Sequence, residues 1–447
     1  MPPPGGKIGH HDILVIALPI IASNVTQPLI GVIDTAILGQ LDQPHLVGAV
    51  ALGATIFAMT YFLFSFLRMG TTGLTAQADG AEDQTRIAAV FWQAFMIAVG
   101  IGTALVALQV PIAWLAMTLL QGTQAVEKAA ETYVSIRIWS APFALTNFAV
   151  LGWLIGVRRT GLAVALQFLL NGLNVVFSVA LVQGIGLNID GVAYGTLAAE
   201  VIAAMVGVSL VVREMRARGT LADVPTIFAP NALRRIMSVN RDIMLRSIAL
   251  NFAFAFFVNE GARGGETTLA ANAVLMHFLL TTAHVLDAFA YAAEALSGHA
   301  VGARRLDRFT NAVRLSTLWA FAIAGLLSML CWLAGPTIID ALVVTPEIRE
   351  AARVFLPWAA LTPIVGVACF QLDGIFIGAT LTEEMRNATA LAVVIYLATW
   401  AILAPAFGNH GLWASIHVLF IARALTLGAY YPRLLRAFEA TRQTGKA

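Results

Sequence analysis

Apolar residues fall along this chain in long blocks rather than in narrow stripes. Runs of about twenty or more, with few charges, lie near 12–38, 46–70, 87–110, 129–156, 161–183, 192–213, 234–259, 268–296, 312–334, 352–378, 388–407 and 411–432. Short polar turns divide them. A helix needs roughly 20 apolar residues to cross a bilayer. Lipid offers backbone groups no partners, so each such segment must be helical. The weak alternating signal of an outer-membrane barrel is absent. The expected fold is an all-α polytopic membrane protein of about twelve transmembrane helices.

Composition agrees. The chain has 447 residues, 59% hydrophobic and 12% charged, against about 25% charged in soluble domains. Globular cores split into domains before they hide this much apolar surface. The distribution of Lys and Arg adds orientation. Counted from a cytoplasmic N-terminus, 19 fall in inside loops, from Lys7 to Lys446, and 3 in outside loops, Lys128, Arg263 and Arg349. That asymmetry obeys the positive-inside rule and puts both termini in the cytoplasm. It fits a cytoplasmic (inner) membrane. An error of one helix would scramble the alternation, so it also supports the helix count.

The remaining composition excludes more than it suggests. The net charge of +2 reflects membrane topology and gives no reason to expect nucleic acid. Cys331 and Cys369 both sit in apolar helices and suggest neither a disulfide framework nor a zinc site. Residues 12–38 read as a retained first helix rather than a signal peptide. There is no P-loop, no dinucleotide glycine fingerprint and no His-Glu-x-x-His. No cofactor is expected, and ATP-driven transport by this chain alone is improbable.

The chain repeats itself. At a shift of 222 positions, Leu74 to Ala81 (LTAQADGA) aligns with Leu296 to Ala303 (LSGHAVGA), and Gly152 to Gly156 (GWLIG) with Gly374 to Gly378 (GIFIG). Gly191 and Gly411 open corresponding helices at a shift of 220. The expected division is a six-helix lobe over 1–213, a cytoplasmic connector over 214–233 and a second six-helix lobe over 234–447. Both halves start on one side, so they are parallel repeats, for which a pseudo-twofold along the membrane normal is expected. Repeated lobes commonly flank a solute site.

A charge near the bilayer centre costs roughly 2.5–3.5 kcal/mol on insertion scales, so each one needs a partner, a wet cavity or a function. Asp34 lies past the middle of the first helix, between Ile33 and Thr35. Desolvation disfavours a charged carboxylate, so such a group can take and release a proton. Pro19 and Pro28 let the same helix bend. Asn171, Asn174 and Ser178 share one face of the fifth helix, and Thr196 lies early in the sixth. Together with Asp34 these oxygens can surround a proton or a cation, or they can simply tie helices together. The second half carries Arg246 in the seventh helix, His277, His284, Asp287 and Glu294 in the eighth, and Asp373 in the tenth. Asp287 and Glu294 are seven apart and share a face, as do His277 and His284. Arg246 can neutralise one carboxylate. This set reads as a salt-bridge network, a solute site or a proton relay. Seven-residue spacing does not make a compact metal-ligand set.

These residues lie in a broader pattern. Pro28 to Asp42 (PLIGVIDTAILGQLD), Arg68 to Ala81 (RMGTTGLTAQADGA), Asn240 to Ser247 (NRDIMLRS), Ala271 to Ala303, Leu372 to Ala388 (LDGIFIGATLTEEMRNA) and Gly408 to Trp413 (GNHGLW) occur in order along almost the whole chain. The sequence resembles the multidrug and toxic compound extrusion (MATE) family, in particular its DinF branch. The resemblance implies two six-helix lobes arranged as a V. It implies antiport, in which protons or sodium enter while an amphipathic, often cationic, organic compound leaves. Asp34 falls on the family's first-helix aspartate, and Asn174 and Thr196 on positions like its N-lobe cation ligands, with Asn171 one turn away. Ser178 departs from the pattern, because relatives commonly carry an aspartate there. A site with one carboxylate instead of two is a poorer sodium trap, which favours protons. The roles of Arg246, Asp287, Glu294 and Asp373 do not transfer clearly.

The expected function is thus a secondary transporter rather than an enzyme, acting as a monomer on a small organic substrate within the lipid bilayer. The rival reading is a flippase for lipid-linked or amphipathic solutes. A third class, an intramembrane enzyme or receptor, has only His277 and His284 as hints.

Overall fold

The computed structural model describes residues 8–39, 44–120, 123–219 and 224–444. It is built from helices α1 His10–Gly39, α2 Pro44–Leu63, α3 Phe66–Gly80, α4 Gln84–Ala107, α5 Gln109–Leu120, α6 Gln124–Arg137, α7 Ala141–Gly156, α8 Thr160–Val179 and α9 Asn188–Ala217. There follow α10 Val224–Ile227, α11 Pro230–Arg263, α12 Glu266–Gly302, α13 Leu306–Leu342, α14 Pro346–Gly378, α15 Thr382–Phe407 and α16 Asn409–Thr444. Among the described residues, 11 segments are long and apolar enough to cross a membrane. They start with His45–Gly80 and end with Asn409–Arg436, and α1 precedes them. The all-helical polytopic fold expected from the apolar blocks is present.

Several spans in the first half are assembled from pieces. Phe64 and Ser65 form a turn between α2 and α3. Leu108 separates α4 from α5, a short 3₁₀ turn, Ile138–Ser140, joins α6 to α7, and α8 widens into a π turn over Ala180–Gly184. In the second half the corresponding spans α12, α13 and α14 are continuous helices.

The repeat register seen in the sequence reappears in the backbone. Among the described residues, four non-glycine residues have positive φ: Glu82 at 57°, Arg158 at 61°, Arg304 at 54° and Thr380 at 55°. Glu82 pairs with Arg304 and Arg158 with Thr380, each 222 positions apart. All four end a helix in a left-handed cap, with the wide-turn hydrogen bond typical of such ends. Asp83 N donates to Ala78 O at 3.0 Å and Arg305 N to Ala300 O at 3.0 Å. Arg159 N donates to Leu154 O at 2.7 Å and Leu381 N to Phe376 O at 3.0 Å. Left-handed Gly186 and Gly408 keep the same offset, whereas the aligned glycines Gly191 and Gly411 are 220 apart. The two-residue slip therefore falls just after Gly408, within the opening of α16.

Small residues set the tightest contacts, as expected where helices associate by close packing rather than by hydrophobic exclusion. A Cβ on Gly152 would run into Arg68 O of α3, and one on Gly156 into Thr75 and Thr72 O. In the second half, a Cβ on Gly374 would meet Ala290 O of α12, and one on Gly378 would meet Glu294 O and Ser297. The α3–α7 and α12–α14 contacts are thus the same contact made twice.

Packing groups the chain into two compact units. The first runs from Ala22 to Asn240, and the second joins the described residues up to Ile21 with those from Arg241 onward. Both α1 and α11 therefore contribute to each unit. The first has an apolar cluster that includes Leu38, Val50, Phe57, Tyr133 and Val192. In the second, Phe257, Leu275, Leu356, Tyr396, Trp413 and Phe420 pack together.

Candidate functional site

In the first unit the polar face of α8 meets α1 and α9. Asn171 Nδ2 donates to Thr26 Oγ1 of α1 at 2.8 Å, and Gln167 Nε2 donates to Asn171 Oδ1 at 3.1 Å. One turn on, Asn174 Nδ2 donates to Thr196 Oγ1 of α9 at 2.8 Å. Thr196 Oγ1 in turn donates to Val192 O at 3.0 Å. This fixes the polarity of the chain of bonds. The threonine hydroxyl spends its proton on its own helix, so Asn174 must present its N–H side and leave its oxygen as an acceptor. Among the described residues, Asn174 Oδ1 and Ser178 Oγ have no hydrogen-bond partner, and both are buried.

Local geometry explains why these groups stand together. Asn174 and Ser178 are four apart and share one face of α8. Gly195 lets α9 approach that face, since a Cβ there would sit 2.8 Å from Ser178 N and 3.0 Å from Ser178 Oγ. The π turn at Ala180–Gly184 follows directly, and π turns often accompany functional sites. Asp34 lies within α1, but its side chain is outside the described residues.

The first unit holds a second polar set that the sequence reading passed over. Asn147 Nδ2 donates to Glu200 Oε2 at 2.6 Å, joining α7 to α9. Arg137 donates to Tyr133 Oη at 2.7 Å and sits 4.6 Å over the Phe57 ring. Tyr61 and Ser140 are hydrogen bonded at 3.3 Å. Glu200 was findable as a carboxylate in an apolar helix, the same signal that singles out Asp34.

In the second unit a charge cluster joins three helices. Arg246 of α11 and Arg423 of α16 both bond Oδ2 of Asp373 on α14, Arg423 at 2.5 Å. All three side chains are buried, with Arg423 only 4% exposed. Asp287 of α12 and Cys369, one turn before Asp373, lie within electrostatic reach of Arg423. In formal charge the two arginines and two aspartates of this set balance. The pairing of Arg246 with Asp373 follows one option open in the sequence. Arg423 was missed, although a lone arginine in the last apolar block carries the same signal as Arg246.

The other candidates on α12 are dispersed. Glu294 is 1% exposed and lies beside the α14 contact, where its carbonyl faces Gly378. Asp287 and His284 are half-buried, and His277 is exposed. His277 and His284 thus have different surroundings. Among the described residues, no three His, Cys, Asp or Glu side chains come together in a set able to hold a metal ion.

Comparison with known proteins matches the fold and the repeat. The MatE family profile matches residues 19–180 and again residues 243–401. The DNA damage-inducible protein F of Escherichia coli K12 is 41% identical over 418 residues, covering 94% of this chain and 91% of that protein. Among solved structures, a MATE protein in the straight conformation superposes with a TM-score of 0.86 at 18% identity, covering 97% of each chain. The outward-facing conformation of a multidrug resistance MATE family transporter gives 0.83 at 18% identity, over 96% of this chain and 97% of that one.

Proposed function

Because this chain belongs to the multidrug and toxic compound extrusion family, a family of ion-coupled membrane transporters rather than enzymes, we propose that it exports amphipathic or cationic organic compounds from the cytoplasm in exchange for protons. Its place is a bacterial cytoplasmic membrane with both termini inside. The observation that carries the coupling assignment is the polarised chain from Val192 O through Thr196 to Asn174. It leaves Asn174 Oδ1 as a buried acceptor beside Ser178 Oγ, in the part of the fold that α1 also lines through Thr26. An acceptor of this kind suits a protonated Asp34 carboxyl, which offers one O–H.

The charge cluster of the second unit supports the same reading. Asp373 Oδ2 already bonds two guanidinium groups, which stay charged at any working pH. A sodium ion arriving there would compete with two fixed positive charges for the same carboxylate. With one carboxylate, Asp34, in the first-unit set and Ser178 in place of a second, proton coupling is the reading the residues favour. In the working cycle Asp34 takes a proton from outside, α1 repacks, the solute leaves, and the return step releases the proton inside. Exchange requires that proton and solute bias opposite states.

A flippase for anionic lipid-linked solutes draws on one observation, the buried pair Arg246 and Arg423. Asp373 and Asp287 offset their charge, which favours the export reading. The test is drug-driven proton movement in proteoliposomes, with native protein and Asp34→Asn compared over a pH gradient with and without sodium. Export of a cationic dye against the proton gradient, lost in a well-folded Asp34→Asn, is expected. Undiminished exchange in that variant would move coupling elsewhere, and scrambling of lipid without any gradient would favour the flippase.

A further inference from the structure

His417 of α16 is buried with each of its ring nitrogens facing a backbone carbonyl oxygen. Nδ1 lies 2.8 Å from Trp413 O, one turn back on the same helix. Nε2 lies 3.1 Å from Trp358 O on α14. Carbonyl oxygens only accept hydrogen bonds, and a neutral imidazole has only one N–H to give. Both contacts are satisfied together only when both nitrogens carry protons. We propose that His417 is a proton-binding site, with Nε2 taking one proton to bridge α16 to the carbonyl of Trp358.

A second arrangement is built in for the neutral ring. Thr362 Oγ1 lies 3.4 Å from the same Nε2 and donates to Trp358 O at 3.0 Å. When the proton leaves, Nδ1–H keeps its bond to Trp413 O, and the threonine hydroxyl can turn from Trp358 O to the bare Nε2. When the proton returns, the Nε2 lone pair forms the N–H bond, the ring gains one positive charge, and Thr362 turns back. The Trp358 ring lies 5.3 Å from the imidazole, tilted by 58° to it. On α16 the nearest titratable or charged groups along the helix are His410, held through Trp358 Nε1 at 3.0 Å, and Arg423, engaged with Asp373 at 2.5 Å. Glu260 of α11 is paired with Arg263 at 3.2 Å, and Tyr396 of α15 donates to Ala253 O at 3.5 Å. Cys369 of α14 belongs to the Asp373 cluster. α12 reaches the neighbouring Trp413 through Asn272, which does not titrate.

The position gives this proton a mechanical outlet. Trp358 and Thr362 lie between Pro357 and Pro363, both inside α14. Each proline removes a backbone donor, so this turn is where α14 bends most easily. The same helix carries Asp373 further along. A proton on His417 ties α16 to that turn, and its loss exchanges the tie for a side-chain contact from Thr362. This site is independent of the one at Asp34, so the two can fail separately.

The test is nitrogen-15 spectroscopy of the full chain labelled at histidine, in lipid nanodiscs, with His417→Gln to assign its signals. In acid, the signals missing from His417→Gln should show protons on both ring nitrogens, and in alkali on Nδ1 alone. Thr362→Val removes the neutral ring's donor and should raise the ratio of charged to neutral His417 about three-fold at a fixed pH, the effect of one ordinary hydrogen bond. Thr362→Ser keeps the hydroxyl and should leave the ratio unchanged. A ring nitrogen that stays bare at every pH where the protein remains folded overturns the proposal. So does a ratio that Thr362→Val leaves unmoved.

Discussion

Arg423 Nη2 stands 2.5 Å from Asp373 Oδ2, the oxygen that Arg246 also engages. Asp373→Asn would leave two buried guanidinium groups without their shared counter-charge, at a cost of about 3–5 kcal/mol. Its thermal unfolding in detergent should shift down accordingly. Arg423→Leu alone should cost less, because Arg246 still holds the aspartate. The double variant Asp373→Asn/Arg423→Leu should be more stable than the sum of the two single losses predicts. Additive losses would mean that the two groups do not interact.

The helix contacts at glycine make a sharper test of packing. Gly374→Ala places a Cβ against Ala290 O, and Gly152→Ala places one against Arg68 O. Backbone cannot step aside as a flexible side chain can, so each should destabilise by about 1–3 kcal/mol or more. Gly172 in α8 and Gly325 in α13 have open space around them. Alanine there should be neutral or stabilising by up to about 1 kcal/mol, the helix-propensity gain. Melting curves of the four variants should split into two groups.

Coupling ion choice is testable at one residue. Ser178→Asp adds a second carboxylate next to Asn174 and opposite Gly195. If one carboxylate is what favours protons, this variant should gain sodium-stimulated dye export relative to the native protein. Dye uptake into inverted vesicles with sodium or potassium as the counter-ion reads it directly.

Topology can be mapped by labelling. Cys331 and Cys369 are buried, and a Cys331→Ala/Cys369→Ala background leaves no other thiol. In that background Lys128→Cys should react with a membrane-impermeant maleimide on intact cells. Arg304→Cys should react only after the membrane is opened. The reverse pattern would invert the orientation assigned to both termini.

Reading the sequence went furthest where the bilayer itself imposes the rule. Span length and polarity are set by lipid thickness, so the helices of the fold were legible as blocks. The offset of 222 was legible too, because its glycines have no tolerable substitute at the α3–α7 and α12–α14 contacts. Pairings across helices were less accessible. Arg423 and Asp373 lie 50 residues apart, and their meeting depends on the rotation of α14 and α16 about their axes, which apolar blocks do not encode. The pairing of Asn147 with Glu200 was hidden for the same reason. The breaks at Phe64–Ser65, Leu108 and Ile138–Ser140 left no signature either, since the matching stretches of the second half run through as unbroken helices.

Those breaks have a mechanical consequence. Glycine contacts lock α3 to α7 and α12 to α14 into planks that cannot be pressed closer. Whatever bending a cycle demands must then be absorbed where helices are jointed. The first unit owns three such joints and a π turn, whereas in the second the continuous rods leave bending to the proline positions of α13 through α16. Two halves built on one pattern thus differ in compliance: the first yields at gaps between its pieces as well as at Pro28 of α1, the second at kinks within its rods.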